Sequence, residues 1–387
     1  MIMKRIKPEH IFTGIIAALL TSFSGMVIIE SARDLGLSEL QLFSWMSSIY
    51  VMGGLISLVL TLKYRMPLIG AHSLATAIYL IPVMQGFSIN EMVGGYLIAG
   101  LLLLVISQLK FLRDFITSIP NYIIEAMLAG IVVNYILSSI LDLSSYVLVL
   151  AASVLAYFLV QVYLKNIPGF FGGLAVVFIT ALFIGFESFE VDQVVFAVAF
   201  MEPKIDMVTI TVISIPVAVM ILSNEVSISL SALKKNGYEV PFQQVVLSSG
   251  IGVSIVSMFG GHAAGIGGMS TTICSNAEAG VKSERYKSAV VAGILIVLFG
   301  LLAPLMITLM IAIPGELISI IVILTLLGIL LSCFKSLMNL KSKASILIML
   351  VSFVISAVNI NIYILSAPLL SLIVGTILYA VFLKKTD

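Results

Sequence analysis

The chain has 387 residues, 60% of them apolar and 10% charged, with a mean hydropathy of +1.20 and a formal net charge of +1. Such a composition excludes a soluble globular domain. The near-neutral charge singles out no macromolecular partner, nucleic acid is not expected, and the lack of a Gly-x-x-x-x-Gly-Lys-Ser/Thr loop argues against transport driven directly by ATP within this chain.

Apolar runs long enough to cross a bilayer follow one another almost without pause, and they read as about fourteen spans of an all-α integral membrane protein. The first seven begin near Ile11, Leu40, Pro67, Met92, Asn121, Ser145 and Phe171. The second seven begin near Met207, Phe242, Phe259, Lys287, Pro314, Ala344 and Ile362. Basic residues precede the first run, but no cleavage site follows it, so it reads as a span and not as a removable signal. With both termini in the cytoplasm, only Arg33 and Lys204 of the 20 basic residues fall outside, as short cytoplasmic loops require. The expected setting is a cell membrane, inner or plasma, crossed many times.

Along the chain, the candidate residues appear as follows. Ser22, Phe23 and Ser24 end the first span with two hydroxyls and one aromatic face. Trp45, the single tryptophan, opens the second span and reads as an interfacial anchor. The third run is broken at Met66-Pro67-Leu68-Ile69-Gly70-Ala71-His72-Ser73, and the tenth at Phe259-Gly260-Gly261-His262-Ala263-Ala264-Gly265. Non-helical backbone survives at membrane depth only where it is buried or lines a cavity, so paired breaks of this kind point to a transporter's binding site. Each break carries a histidine, which either serves a substrate or proton or satisfies freed backbone carbonyls.

Two carboxylates lie inside spans. Glu225 follows Asn224 in the middle of the eighth, where a charge costs about 2.5–3.5 kcal/mol, and this makes it the candidate proton-coupling group, with His262 beside it. Glu125 lies five residues past Pro120 and reads as a helix-end carboxylate within reach of water. His10 sits at the cytoplasmic edge with no special role. Cys274 and Cys333 read as packing residues, with no metal site and no cofactor expected. Three histidines and two cysteines show no nucleophile–base pair, so an enzyme is not expected.

Seven spans per half is an odd number, so two similar halves must lie in opposite orientations. The halves are 1–193 and 194–387, separated by the acidic external connection from Glu187 to Asp206. Ile119-Pro120 and Ile313-Pro314 follow the two histidines at nearly equal distances and open corresponding spans, although proline also suits any first helical turn.

The chain resembles the benzoate/proton symporter family, a branch sharing the architecture of uracil and xanthine permeases. The resemblance rests on Gly14–Ala32, Tyr64-Arg65-Met66-Pro67, Ile119-Pro120 with Ala126-Met127-Leu128-Ala129-Gly130, and Ser223-Asn224-Glu225. It continues through Asn236-Gly237-Tyr238-Glu239-Val240-Pro241, Phe259-Gly260-Gly261-His262-Ala263 and Thr271-Thr272-Ile273-Cys274. It implies seven-plus-seven inverted repeats, with spans three and ten each formed of a short strand and a half-helix and substrate between them. The chain has Ser73-Leu74-Ala75-Thr76 where the family usually has Ser-Thr-Pro-Gly, and Asn224-Glu225-Val226-Ser227-Ile228 where it has Asn-Asp/Ala-Ala-Pro-Gly.

Half-helices starting near Ser73 and Ala264 would leave free N–H groups that suit an anion. The expected substrate-binding residues are Ser22, Phe23, Gly70, His72, Ser73, Asn224, Gly261, His262 and Ala263. The leading expectation is proton-coupled uptake of a small organic acid, benzoate or a related aromatic carboxylate. A nucleobase/proton symporter and an uncoupled anion channel or uniporter are the alternatives, and a homodimer is an open assembly state.

Overall fold

Serine side chains serve the orphan first-turn N–H groups at several helix starts in the computed structural model. Ser38 accepts from the Gln41 N–H at 3.3 Å while the Gln41 side chain takes the Ser38 N–H at 3.0 Å. Ser88 and Glu91 repeat this reciprocal pattern at 3.4 and 2.9 Å. The structure describes residues 6–25, 29, 32, 37–109, 111, 119–164, 167–185, 198–360, 362 and 367–383.

The helices are α1 Pro8–Phe23, α2 Glu39–Tyr64, α3 Leu74–Met84, α4 Ile89–Gln108, α5 Asn121–Asp142, α6 Val147–Tyr163 and α7 Phe170–Ile184. They continue as α8 Met207–Lys235, α9 Phe242–Ser257, α10 Gly268–Ser275, α11 Tyr286–Leu301, α12 Ala303–Ile311, α13 Gly315–Asn339, α14 Lys343–Ala357 and α15 Ala367–Phe382. Two strands, β1 Gly70–Ala71 and β2 Gly265–Ile266, pair antiparallel with Gly70 opposite Ile266 and Ala71 opposite Gly265. Among the described residues α2, α4, α8, α13 and the run Ser144–Tyr163 are long and apolar enough to cross a bilayer. Six further apolar helices have 10–17 residues. The run expected to begin near Lys287 breaks at Leu302 into α11 and α12, with Pro304 in the first turn of α12, where a missing N–H does no harm.

The chain forms two compact units, Met1–Ser118 with Val194–Met306, and Ile119–Gln193 with Ile307–Asp387. Each draws one segment from each sequence half.

In the first unit, α2 and α11 pack through small residues, a Cβ at Gly54 falling 2.8 Å from the Gly293 carbonyl oxygen. α4 and α9 meet in the same way at Gly100 and Gly250. Trp45, Tyr50, Tyr79 and Tyr96 are fully buried in this unit. At one end, Arg285 donates to the carbonyl of Ser275, the last residue of α10, at 2.6 Å and to Asn236 Oδ1 at 3.2 Å. This arginine serves a helix C-terminus, where a cation is favourable. Nearby, the Lys287 ammonium, together with that of Lys7, holds the Glu284 carboxyl down to about 2 and ties the start of α1 to the turn before α11.

In the second unit, α5 lies on α14 with Gly130 against Ser356, whose hydroxyl donates to the Met127 carbonyl at 2.8 Å. α6 rests on α7 with Gly172 against Ala156.

α8 is not a regular helix. Ile210–Ser214 and Ile221–Val226 are π-helical turns on either side of Pro216. The ring nitrogen of Pro216 has no hydrogen to donate, and the Ser227 hydroxyl donates to the Leu222 carbonyl at 2.8 Å, which helps the wider turn absorb its extra residue. The second π turn carries Ser223, Asn224 and Glu225.

Candidate substrate and proton site

The site lies wholly within the first unit and grows from the two strands. Gly70 lies so close to α2 that a Cβ there would fall on the Gly53 carbonyl oxygen. The backbone freed by the breaks is served nearby. Thr61 and Ser57 donate to the Leu68 carbonyl at 2.8 and 3.2 Å, and Ile69 N–H donates to Thr271 Oγ1 at 3.1 Å. Gly267 N–H donates to the Ile69 carbonyl at 2.8 Å, and Ile266 N–H to Ser249 Oγ at 3.3 Å. Polar backbone outside a helix is thus satisfied internally, as lipid demands.

Each strand leads into a half-helix. Ser73 caps α3, its hydroxyl accepting from Thr76 N–H at 3.2 Å. α10 starts at Gly268, not near Ala264 as the sequence suggested, because Gly265 and Ile266 are first used as strand. A Cβ on Gly268 would stand 2.6 Å from the Asn224 carbonyl oxygen, so glycine keeps this helix start against α8.

A carboxyl group of the chain itself sits at these helix starts. Glu225 Oε2 accepts from Gly268 N–H at 2.8 Å. The Ser73 hydroxyl and the Leu74 N–H also face this side chain. Gly268 and Leu74 are the first residues of α10 and α3, so two helix dipoles converge on one side chain. Among the described residues Glu225 has no ion-pair partner.

The histidines lie beside this carboxylate as an edge-to-face pair with centroids 5.6 Å apart. Trp45 Nε1 can only donate, and it donates to His262 Nδ1 at 3.1 Å. His262 Nε2 therefore carries the proton and donates to the Ser73 carbonyl at 3.2 Å. His72 Nε2 lies 3.2 Å from the Thr21 carbonyl and 2.9 Å from Ser24 Oγ, whose own hydrogen goes to Thr21 O. It too is the protonated nitrogen. Tyr50 packs on the His72 ring at 5.6 Å and donates to the Ser22 carbonyl at 2.8 Å.

The sequence-derived residues fall as follows. Gly70, His72, Ser73, His262, Ala263 and Gly261 are buried around the strand pair, with Gly261 between Ile49 and Val256. Asn224 is half-buried, and its amide nitrogen is a buried donor with no partner among the described residues. Ser22 is buried and Phe23 half-buried at the end of α1. Glu125 belongs to the second unit, half-buried, with its Oε2 without a hydrogen-bond partner among the described residues. Among the described residues no three His, Cys, Asp or Glu side chains form a metal-binding cluster.

Trp45 corrects the reading as an interfacial anchor: it is 0% exposed and is the donor that fixes His262. Nothing local signals this, because the partner lies in the other half of the sequence. Trp45→Phe leaves His262 Nδ1 buried and unpaired, at a cost of about 1–3 kcal/mol. Thermal unfolding of the purified variant should show that loss, and an unchanged midpoint would mean the indole does not serve the ring.

A many-helix apolar chain with two broken segments meeting at a half-buried carboxylate defines a membrane transporter, not an enzyme. The particular lineage follows from comparison with known proteins. The chain belongs to the benzoate membrane transport protein family, whose model matches residues 4–381. It is 25% identical over 383 residues to the inner membrane protein YdcO of Escherichia coli strain K12, covering 97% of this chain and 96% of that one. It is 21% identical over 396 residues to the benzoate membrane transport protein of Acinetobacter baylyi, covering 99% and 98%.

Among solved structures it resembles SLC26A9, with TM-score 0.65 and 14% identity over 97% of this chain, which spans 65% of that longer chain. It also resembles the transmembrane domain of the cyanobacterial bicarbonate transporter BicA, with TM-score 0.60 and 14% identity over 95% of this chain and 96% of that domain. At 14% identity these likenesses are of fold alone.

Proposed function

We propose that this protein is a secondary active transporter that couples inward proton movement to uptake of a small organic acid, with benzoate or a related aromatic carboxylate as the leading substrate. The observation that carries the reading is the half-buried Glu225 carboxylate held at the start of α10 with the start of α3 beside it, and with no cation beside it among the described residues. Such a group gains or loses a proton at the point where an anion is best held. The name of the Acinetobacter relative supports benzoate.

In this reading Ser73, Asn224 and the Gly268 start of α10 hold substrate, with Ser22 and Phe23 at the rim. His72, His262, Gly70, Gly261 and Ala263 shape the strand pair beneath it. The chain crosses the membrane about fourteen times as seven-plus-seven inverted repeats, 1–193 and 194–387, with both termini cytoplasmic.

A thermal-shift screen of the purified protein tests the substrate class. Benzoate should raise Tm, by the equivalent of about 2.7 kcal/mol at a hundredfold excess over Kd, while benzamide and uracil should not. An equal shift by benzamide or uracil favours the nucleobase reading. Cysteine placed at Asn236 should react only from the cytoplasmic side; labelling from outside would remove the topology. Ser188, the matching external position, lies outside the described residues.

A further inference from the structure

We propose that Glu225 is a tethered occupant of the substrate's own carboxylate site, and that substrate binds by displacing it as Glu225 takes a proton from solution. This rests on the organic-acid reading above. Glu225 accepts from Gly268 N–H at 2.8 Å, and the Leu74 N–H and the Ser73 hydroxyl face it, the donor set a carboxylate ligand would use. On protonation Glu225 becomes neutral and gives up the two backbone donors. The incoming carboxylate accepts from them, so one negative charge leaves the helix starts as another arrives.

Among the described residues the surroundings leave no other source of compensation. Of the elements packed on this turn of α8, α3 offers only Tyr79, whose hydroxyl donates to the Val212 carbonyl, and α10 only Cys274, whose thiol faces the Thr13 carbonyl at 4.0 Å. β2 and α9 carry no titratable side chain. His72 and His262 each donate through Nε2 to a backbone carbonyl, and Lys234 and Lys235 lie at the far C-terminal end of α8. The positive potential holding an anion here is therefore that of the two helix starts.

A second observation points to a ligand at these helix starts. The hydroxyl of Thr76, in the first turn of α3, is buried and without a partner among the described residues, and the residue is 0% exposed. Native proteins rarely leave such groups empty-handed.

Calorimetric titration of the full-length protein with benzoate, in buffers of different ionisation enthalpy, reads the exchange directly. Where Glu225 is ionised, wild type should take up about one proton per benzoate and lose about tenfold in affinity per pH unit. Glu225→Gln should take up none and keep the low-pH affinity throughout. Infrared difference spectra of wild type provide a check that needs no variant: benzoate added at pH 8 should convert a protein carboxylate band into a protonated carboxyl band. Binding without proton uptake, without that band, or with uptake retained in Glu225→Gln overturns the displacement while leaving a carboxylate substrate in place. Failure of benzoate to bind either protein overturns both readings.

Discussion

Vesicles containing the Glu225→Gln protein accumulate no organic acid under an imposed pH gradient, yet still exchange it between equal pools. Glutamine keeps the shape and an oxygen that can accept from Gly268 N–H, so the site can still form. It cannot gain and release a proton, so substrate movement loses its driving force. At one proton per substrate, a gradient of one pH unit supports about a tenfold concentration ratio, and the variant should fall to a ratio of about one. Glu125→Gln is the comparison. Glu125 lies half-buried in the second unit, whereas the strand pair lies in the first, and its substitution should leave accumulation intact. If Glu125→Gln alone loses accumulation, the coupling acid has been misassigned. If wild-type flux ignores the gradient, a channel or uniporter is the better account.

Gly70→Ala should be the most damaging small substitution in the first unit. The added methyl group would fall on the Gly53 carbonyl oxygen and within 2.9 Å of Ser57 N, both backbone atoms of α2 that cannot rotate aside. Overpacking of this kind costs about 3 kcal/mol, and β1 would have to leave its partner to relieve it. A loss of monodisperse protein, or a steep fall in Tm, is the expected result. Gly86→Ala, where a Cβ meets nothing nearer than 3.7 Å, serves as the control and should behave as wild type. Equal stability of the two variants would mean that β1 is not seated on α2.

Both predictions concern features the sequence shows unevenly. The breaks at Gly70 and Gly265 were legible because glycines interrupt apolar runs that otherwise continue as helix. Glu225 was legible because a carboxylate inside Pro216–Leu230 has no cheap alternative to a polar partner. Its actual partner was not, since the N–H group of Gly268 has no signature of its own and lies 43 residues away. The free helix starts inferred for a ligand were therefore real in kind, but in this structure a side chain of the protein fills them. The start of α10 was misplaced because nothing in Ala264–Gly268 distinguishes two strand residues from a first helical turn. The π turns of α8 were invisible because the apolar pattern is nearly continuous there, and only Pro216 hints at an interrupted ladder. Trp45 was misread because a lone tryptophan near the end of an apolar run looks the same whether it meets headgroups or a histidine distant in sequence.

The strand pair also constrains how the protein is made. β1 finds its partner only in β2, Ile69 N–H waits for the Thr271 hydroxyl 202 residues later, and Thr21 Oγ1 meets Ser270 Oγ at 2.5 Å. At translation rates of about 5–20 residues per second, the ribosome needs roughly 10–40 s to supply those partners. Throughout that interval the first broken segment holds unpaired peptide groups that lipid will not tolerate. A nascent chain halted before Gly265 should therefore keep this segment at the translocon or a membrane chaperone, and release into the bilayer should wait for the second half.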